Sequence, residues 1–103
     1  MDFNIKQGTT DPAIVVQCLR NDVAVDITAA TTVTLRTTDV KTGLKASYVM
    51  TKTTASSGYA TYQWVAGDTA LAGQLHFDVL VDWSSTESEA FPTAGYNTLS
   101  VVG

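Results

Sequence analysis

Charge is scarce in this chain, and beyond residue 52 positive charge is missing altogether. Charged side chains make up 16% of the 103 residues, against roughly 25% in an average globular domain. The six basic residues are Lys6, Arg20, Arg36, Lys41, Lys45 and Lys52, and only acidic groups follow them: Asp68, Asp78, Asp82, Glu87 and Glu89. With no basic cluster to neutralise phosphates, we expect neither a nucleic-acid partner nor an anionic membrane surface. There is one cysteine, Cys18, so no intrachain disulfide and no cysteine-based metal cluster can form. Cys18 is expected to act as a small buried apolar group. No apolar run approaches the ~20 residues of a membrane span. The first residues lack the basic and apolar regions of a signal peptide. These absences together imply a protein made in a reducing cytosol and kept there, or assembled there into something larger.

What the chain does have is apolar residues at 45% and 17 threonines. Its length is that of one domain, residues 1–103, large enough to bury a core without disulfides or metals. Threonine favours strands and stays soluble on an exposed sheet face.

The clearest element is Gly73–Trp83. Leu75, Phe77, Val79, Val81 and Trp83 share one parity, while His76, Asp78 and Asp82 take the other, with Leu80 the apolar exception. A period of two over this length specifies a strand with one buried face. A helix would scatter the same side chains around its circumference. This strand is expected to be central.

Earlier segments repeat the pattern. Phe3 and Ile5 mark a first strand, and Gly8–Pro12 carries turn chemistry. Ala13–Leu19 is mostly apolar and reads as buried on both faces or lying at a sheet crossing. After a turn at Arg20–Asp22 comes a bridge, 23–28, in which Val25 and Ile27 share a face. Thr32–Val40 is a strand with Val33 and Leu35 inward and Thr34 and Arg36 outward. It pairs through Lys41-Thr42-Gly43 with Leu44–Thr53, whose mixed pattern suits an edge.

The later segments continue it. A turn at Ala55–Gly58 leads to the strand Tyr59–Val65, with Ala60, Tyr62 and Trp64 on one face. A loop over 66–73 allows one helical turn after Asp68. Beyond the central strand come a polar turn at Ser84–Ser88, a brief edge strand ended by Pro92, a turn at Ala94-Gly95, and a last strand Tyr96–Val102. Seven to eight strands with turns every 8–12 residues imply an antiparallel immunoglobulin-like β-sandwich; a small closed barrel is the alternative.

Candidate chemistry is thin. His76 is the single histidine. Asp78 two residues on could orient it, and a neighbouring hydroxyl could serve as nucleophile, but such groupings arise on any threonine-rich sheet. Asp78 and Asp82 are four residues apart, roughly 13 Å along a strand, too far for a carboxylate pair sharing one cleft. No Asp-x-Asp-x-Asp-Gly calcium loop or glycine-rich phosphate loop is present. We therefore expect no catalytic residues, no metal and no cofactor. Trp64 and Trp83 fall on apolar parities and are expected in the core, whereas Tyr48 and Tyr59 near edges are the aromatics expected at the surface. The candidate docking surface is then His76, Asp78, Asp82, Tyr59 and Tyr48.

Nearly end to end, the chain resembles the immunoglobulin-like N-terminal domain of phage baseplate upper proteins. The matching pieces begin with Phe3-Asn4-Ile5-Lys6-Gln7-Gly8-Thr9-Thr10-Asp11-Pro12, followed by Val25-Asp26-Ile27-Thr28-Ala29-Ala30 and Val33-Thr34-Leu35-Arg36. Gly58-Tyr59-Ala60-Thr61-Tyr62-Gln63-Trp64, Gly67-Asp68-Thr69 and Ala72-Gly73 come next. Phe77-Asp78-Val79 and Phe91-Pro92-Thr93-Ala94-Gly95-Tyr96 complete the set. Two features depart from the family: Asn21-Asp22-Val23-Ala24 lacks the usual Gly or Pro, and relatives often continue into longer chains.

The resemblance implies a non-enzymatic virion protein that docks on other particle proteins. Those partners would be tail, baseplate or major capsid proteins, and homo-oligomers on the particle are expected. It carries no catalytic or cofactor residue across. It implies a tail or baseplate accessory or a capsid decoration protein, located in the virion and assembled in the host cytoplasm. A carbohydrate-binding or adhesin module, built on exposed aromatics, is the alternative.

Overall fold

The computed structural model describes residues 2–65, 67–70, 72–91 and 97–103. They form an all-β structure of eleven strands: β1 (Asp2–Lys6), β2 (Ile14–Gln17), β3 (Leu19–Arg20), β4 (Val23–Ala24), β5 (Thr32–Asp39), β6 (Lys45–Val49), β7 (Thr51–Lys52), β8 (Tyr59–Tyr62), β9 (Gly73–Asp82), β10 (Ser88–Phe91) and β11 (Asn97–Val102). The larger sheet runs β1-β11-β9-β5-β6, with β10 also on β9; the smaller runs β2-β8-β7, and β3 and β4 make a separate hairpin.

β9 is central because its alternation lets both edges pair while one face stays dry. β5 lies along one edge, from Asp39↔Leu75 to Thr32↔Asp82. The other edge is shared: β11 takes the first half and β10 the second. Phe77, Val79 and Val81 are buried, with Leu75 and Trp83 packed against them at the ends of the row. They meet Val33 and Leu35 from β5, Ile14 and Val16 from β2, Ala60 from β8, and Leu99 and Val101 from β11 in one cluster lying between the sheets. Cys18 is buried there too, and burial pushes its thiol pKa up to about 11, with the charge of Glu89 adding to the rise.

Several expectations need correction. The described residues form eleven strands, several of them only two residues long, rather than seven to eight, and the larger sheet is mixed, not purely antiparallel: β1 runs parallel to β11, from Asp2↔Thr98 to Lys6↔Val102. The segment 13–19 is not buried on both faces, since Ile14 and Val16 are buried while Val15 is 46% exposed. β2 sits at the edge of the small sheet with its outer face toward solvent. The single strand read over 44–53 is two strands in different sheets. The chain crosses at Met50, whose buried side chain fills the gap and whose N–H donates to Val33 O at 2.8 Å. After Asp68 there is a hydrogen-bonded turn rather than a helical one. Pro92, Ala94-Gly95 and the start of the last strand at Tyr96 lie outside the described residues.

Two turns explain themselves locally. Asn21 and Asp22 both take positive φ, 51° and 64°, between Arg20 and its partner Val23. That is a two-residue hairpin turn of the mirror-image type, and Asn and Asp tolerate the left-handed region better than other side chains. Gly58 is buried with φ 82°, and a Cβ there would lie 2.7 Å from Val25 O and 2.9 Å from Cys18 O. Only glycine lets these three backbone segments approach.

Candidate docking surface

The outer face of the large sheet carries the opposite parity of β9: Gln74, His76, Asp78, Leu80 and Asp82. Across from it, β5 presents Thr32, Thr34, Arg36 and Thr38 on the same side. At its centre Arg36 and Asp78 are directly opposed. Arg36 Nε donates to Asp78 Oδ1 at 2.8 Å and a terminal nitrogen to Oδ2 at 2.6 Å. This hydrogen bonding is the leading cause holding the guanidinium pKa above its ordinary value. His76 sits one pair further along, between Thr38 on β5 and Thr98 on β11. Beside it, Arg36, Thr38, Lys45, Ser47, His76 and Asp78 border a shallow depression of about 500 Å³. The face is therefore broad, polar and half-buried, with an ion pair at its middle.

The five residues expected to share a docking surface do not share one. His76, Asp78 and Asp82 lie on this outer face. Tyr48 does not, because it pairs with Leu35 and so points to the inner side. There its ring centroid is 4.9 Å from that of Tyr62 and 5.9 Å from that of Trp64, and Phe3 joins Trp64 at 6.2 Å. Burial is the main reason the Tyr48 hydroxyl is harder to ionise, with Asp68 adding to it. Tyr62, also pushed up by burial first, donates its hydroxyl to Asp68 at 2.7 Å. Trp64 is 3% exposed, and no described residue accepts from its Nε1. Tyr59 is half-buried and lies on the outer parity of β8, on the far side of the molecule.

A second surface, not anticipated from the sequence, forms at the end of the molecule where β9 finishes. Arg20 from the β3–β4 hairpin makes a bidentate pair with Glu89 of β10. Trp83 lies beside Glu89 and adds to the stabilisation of its carboxylate. The Arg20 hydrogen bonds lead in holding the Glu89 carboxyl below its usual pKa. Shallow hollows flank this trio. One is lined by Arg20, Val23, Val25, Asp26 and Trp83, the other by Arg20, Trp83, Thr86, Glu87 and Glu89. The turn at Arg20–Asp22 was legible in the sequence, but its use as a hairpin and its pairing over 69 residues of sequence left no signal.

No family model matches the chain, and neither does any curated protein or solved structure. Among the described residues no group of three or more His, Cys, Asp or Glu side chains is placed to hold a metal ion. No helix there is long and apolar enough to cross a membrane.

Proposed function

We propose that this protein is a non-enzymatic structural component of a bacteriophage particle, an immunoglobulin-like β-sandwich that docks in repeated copies on other virion proteins. The strand order supports the sandwich. A sheet containing β5-β9-β11 faces one containing β2-β8, and a strand crosses from the first sheet to the second at Met50. The observation that carries the docking role is the outer face of the large sheet. It is flat, rich in threonine and half-buried, and it is fixed at its centre by Arg36 and Asp78. Such a face offers hydroxyls and paired charges for hydrogen bonds and charge complementarity with a partner surface. The outer edge of β6 offers main-chain groups for strand addition beside it.

Two observations weigh against the rival readings. Both carboxylate oxygens of Asp78 accept from Arg36, and His76 lies on a sheet face, an arrangement unsuited to a catalytic pair. Tyr48, Tyr62 and Trp64 stack on one another between the sheets, so they are not available to stack on sugars. Mass spectrometry of purified virions tests the reading, and its expected result is this chain at stoichiometric copy number. A particle reconstruction then assigns the density to tail, baseplate or capsid shell. Absence from purified particles overturns the proposal.

A further inference from the structure

The molecule is electrically and chemically polar along the direction of β9. At the end where β9 begins, the large sheet presents Lys6, Lys41 and Lys45, all exposed, and no ion pair among the described residues engages them. The acidic group beside them, Asp39, is turned to the backbone N–H groups of Lys41 and Thr42. Asp11 and Asp68, at the same end, lie toward the small sheet, beside Gln63 and Tyr62. Between the lysines sit large apolar side chains that water reaches: Val40 at 50%, Leu44 at 72% and Val102 at 53% exposure. Val40 is tied to β9 by its N–H to Gln74 O at 3.1 Å, and Val101 pairs with Gly73. The three apolar groups therefore span one end of the sheet.

The opposite end reverses the sign. Asp26, Glu87 and Glu89 line the hollows there, Asp22 lies in the β3–β4 turn and Asp82 at the end of β9, against two basic groups. Of those two, Arg20 is engaged by Glu89 and Lys52 by the carbonyls of Thr28 and Ala30. Here too the charges frame apolar surface, with Val23 at 66% exposure beside half-buried Trp83 and the two hollows. The ten residues of β9 hold the two ends roughly 30 Å apart. That is about three screening lengths at ~0.1 M salt, so the ends do not neutralise one another and each meets a partner as a separate patch.

We propose that the partner each end fits is the other end of a second copy of this chain. The lysine-framed apolar end of one molecule seats on the acidic, tryptophan-bearing end of the next. This contact is heterologous, so it propagates into a ring or a linear row rather than stopping at a symmetric pair. The net charge of −4 disfavours random association, whereas the end-to-end arrangement alone brings opposite signs together. The inference does not depend on the virion reading, because it follows from the distribution of charge and apolar surface in this chain.

Sedimentation velocity on the full chain tests it, using two variants. Lys41→Ser with Lys45→Ser removes charge from the basic end. Val23→Lys with Glu87→Lys spoils the acidic end. All four positions are exposed, and thermal melts of both variants check that the fold survives. The wild-type chain at ~0.1 M salt is expected to rise above its 10.9 kDa monomer mass with concentration and to return to it at ~1 M salt. Each variant alone is expected to stay a monomer. An equimolar mixture of the two, which retains one intact basic end and one intact acidic end, is expected to form a species of twice the monomer mass that does not grow further. A wild-type chain that stays monomeric at low salt overturns the proposal. So does association that ignores salt, association that persists in either variant alone, or a mixture that remains monomeric.

Discussion

Alternate residues of β9 meet opposite fates. Phe77, Val79 and Val81 are closed off between two sheets, while His76, Asp78 and Asp82, each one position away, lie on an open polar face. The inner row contributes by burial, an effect of about 25 cal/mol for each Å² of apolar surface removed from water. The outer row contributes through an ion pair whose side chains are 41% and 24% exposed, where solvent screening removes most of the Coulomb attraction. Neighbouring positions on one strand therefore differ in importance for stability by several-fold, and the row that matters less to folding is the one on the open face.

Substitutions in the two rows should break this comparison in order of size. Phe77→Ala is expected to cost about 3–5 kcal/mol in urea unfolding, because it removes a buried ring and leaves a cavity the sheets cannot close. Val79→Thr, nearly the same shape, should cost about 1–3 kcal/mol by burying a hydroxyl among apolar neighbours. The mirror change on the outer face, Thr34→Val, should stay within about 0.5 kcal/mol. If the two swaps cost the same, the division between rows fails. A double-mutant cycle on Arg36→Ala and Asp78→Ala should give a coupling of roughly 0.5 kcal/mol that shrinks with added salt.

Effects of pH act on the fold from both sides, through Glu89 in acid and Cys18 in alkali. Glu89 has a depressed pKa in the folded protein. Its contribution is present above the ordinary glutamate range and is lost as acidification carries pH down through the folded value. The Cys18 thiol is displaced upward, from 9.0 to about 11. Its contribution is present below pH 9 and fades as pH rises toward 11, because the unfolded thiol ionises first. Melting temperature against pH should show both slopes. Glu89→Gln should flatten the acid side and Cys18→Ala the alkaline side.

The strands were legible wherever parity was clean. Val33, Leu35, Phe77, Val79, Ala60 and Trp64 occupy the inner positions their spacing implied. The segment 44–53 was not legible, because a chain that changes sheets keeps its extended backbone while its partners change. Tyr48 shows the same limit at one residue. Proximity to an edge suggested exposure, but its inward or outward direction is set by pairing with Leu35, a matter of register between strands. Arg36 and Asp78 were each read as outward-facing from parity alone, yet their union also needed register. The trio of Arg20, Trp83 and Glu89 needed the tertiary arrangement of three separate elements, for which no local pattern exists.

The parallel pairing of β1 with β11 has a mechanical consequence. These two strands are the first and last among the described residues, and they are registered from Asp2↔Thr98 to Lys6↔Val102. A force that pulls residue 2 and residue 102 apart draws the strands past each other along their length. Every hydrogen bond between them is then loaded together, in shear, instead of being peeled one at a time. Tension along the chain would thus be met first by the pair of strands best arranged to resist it.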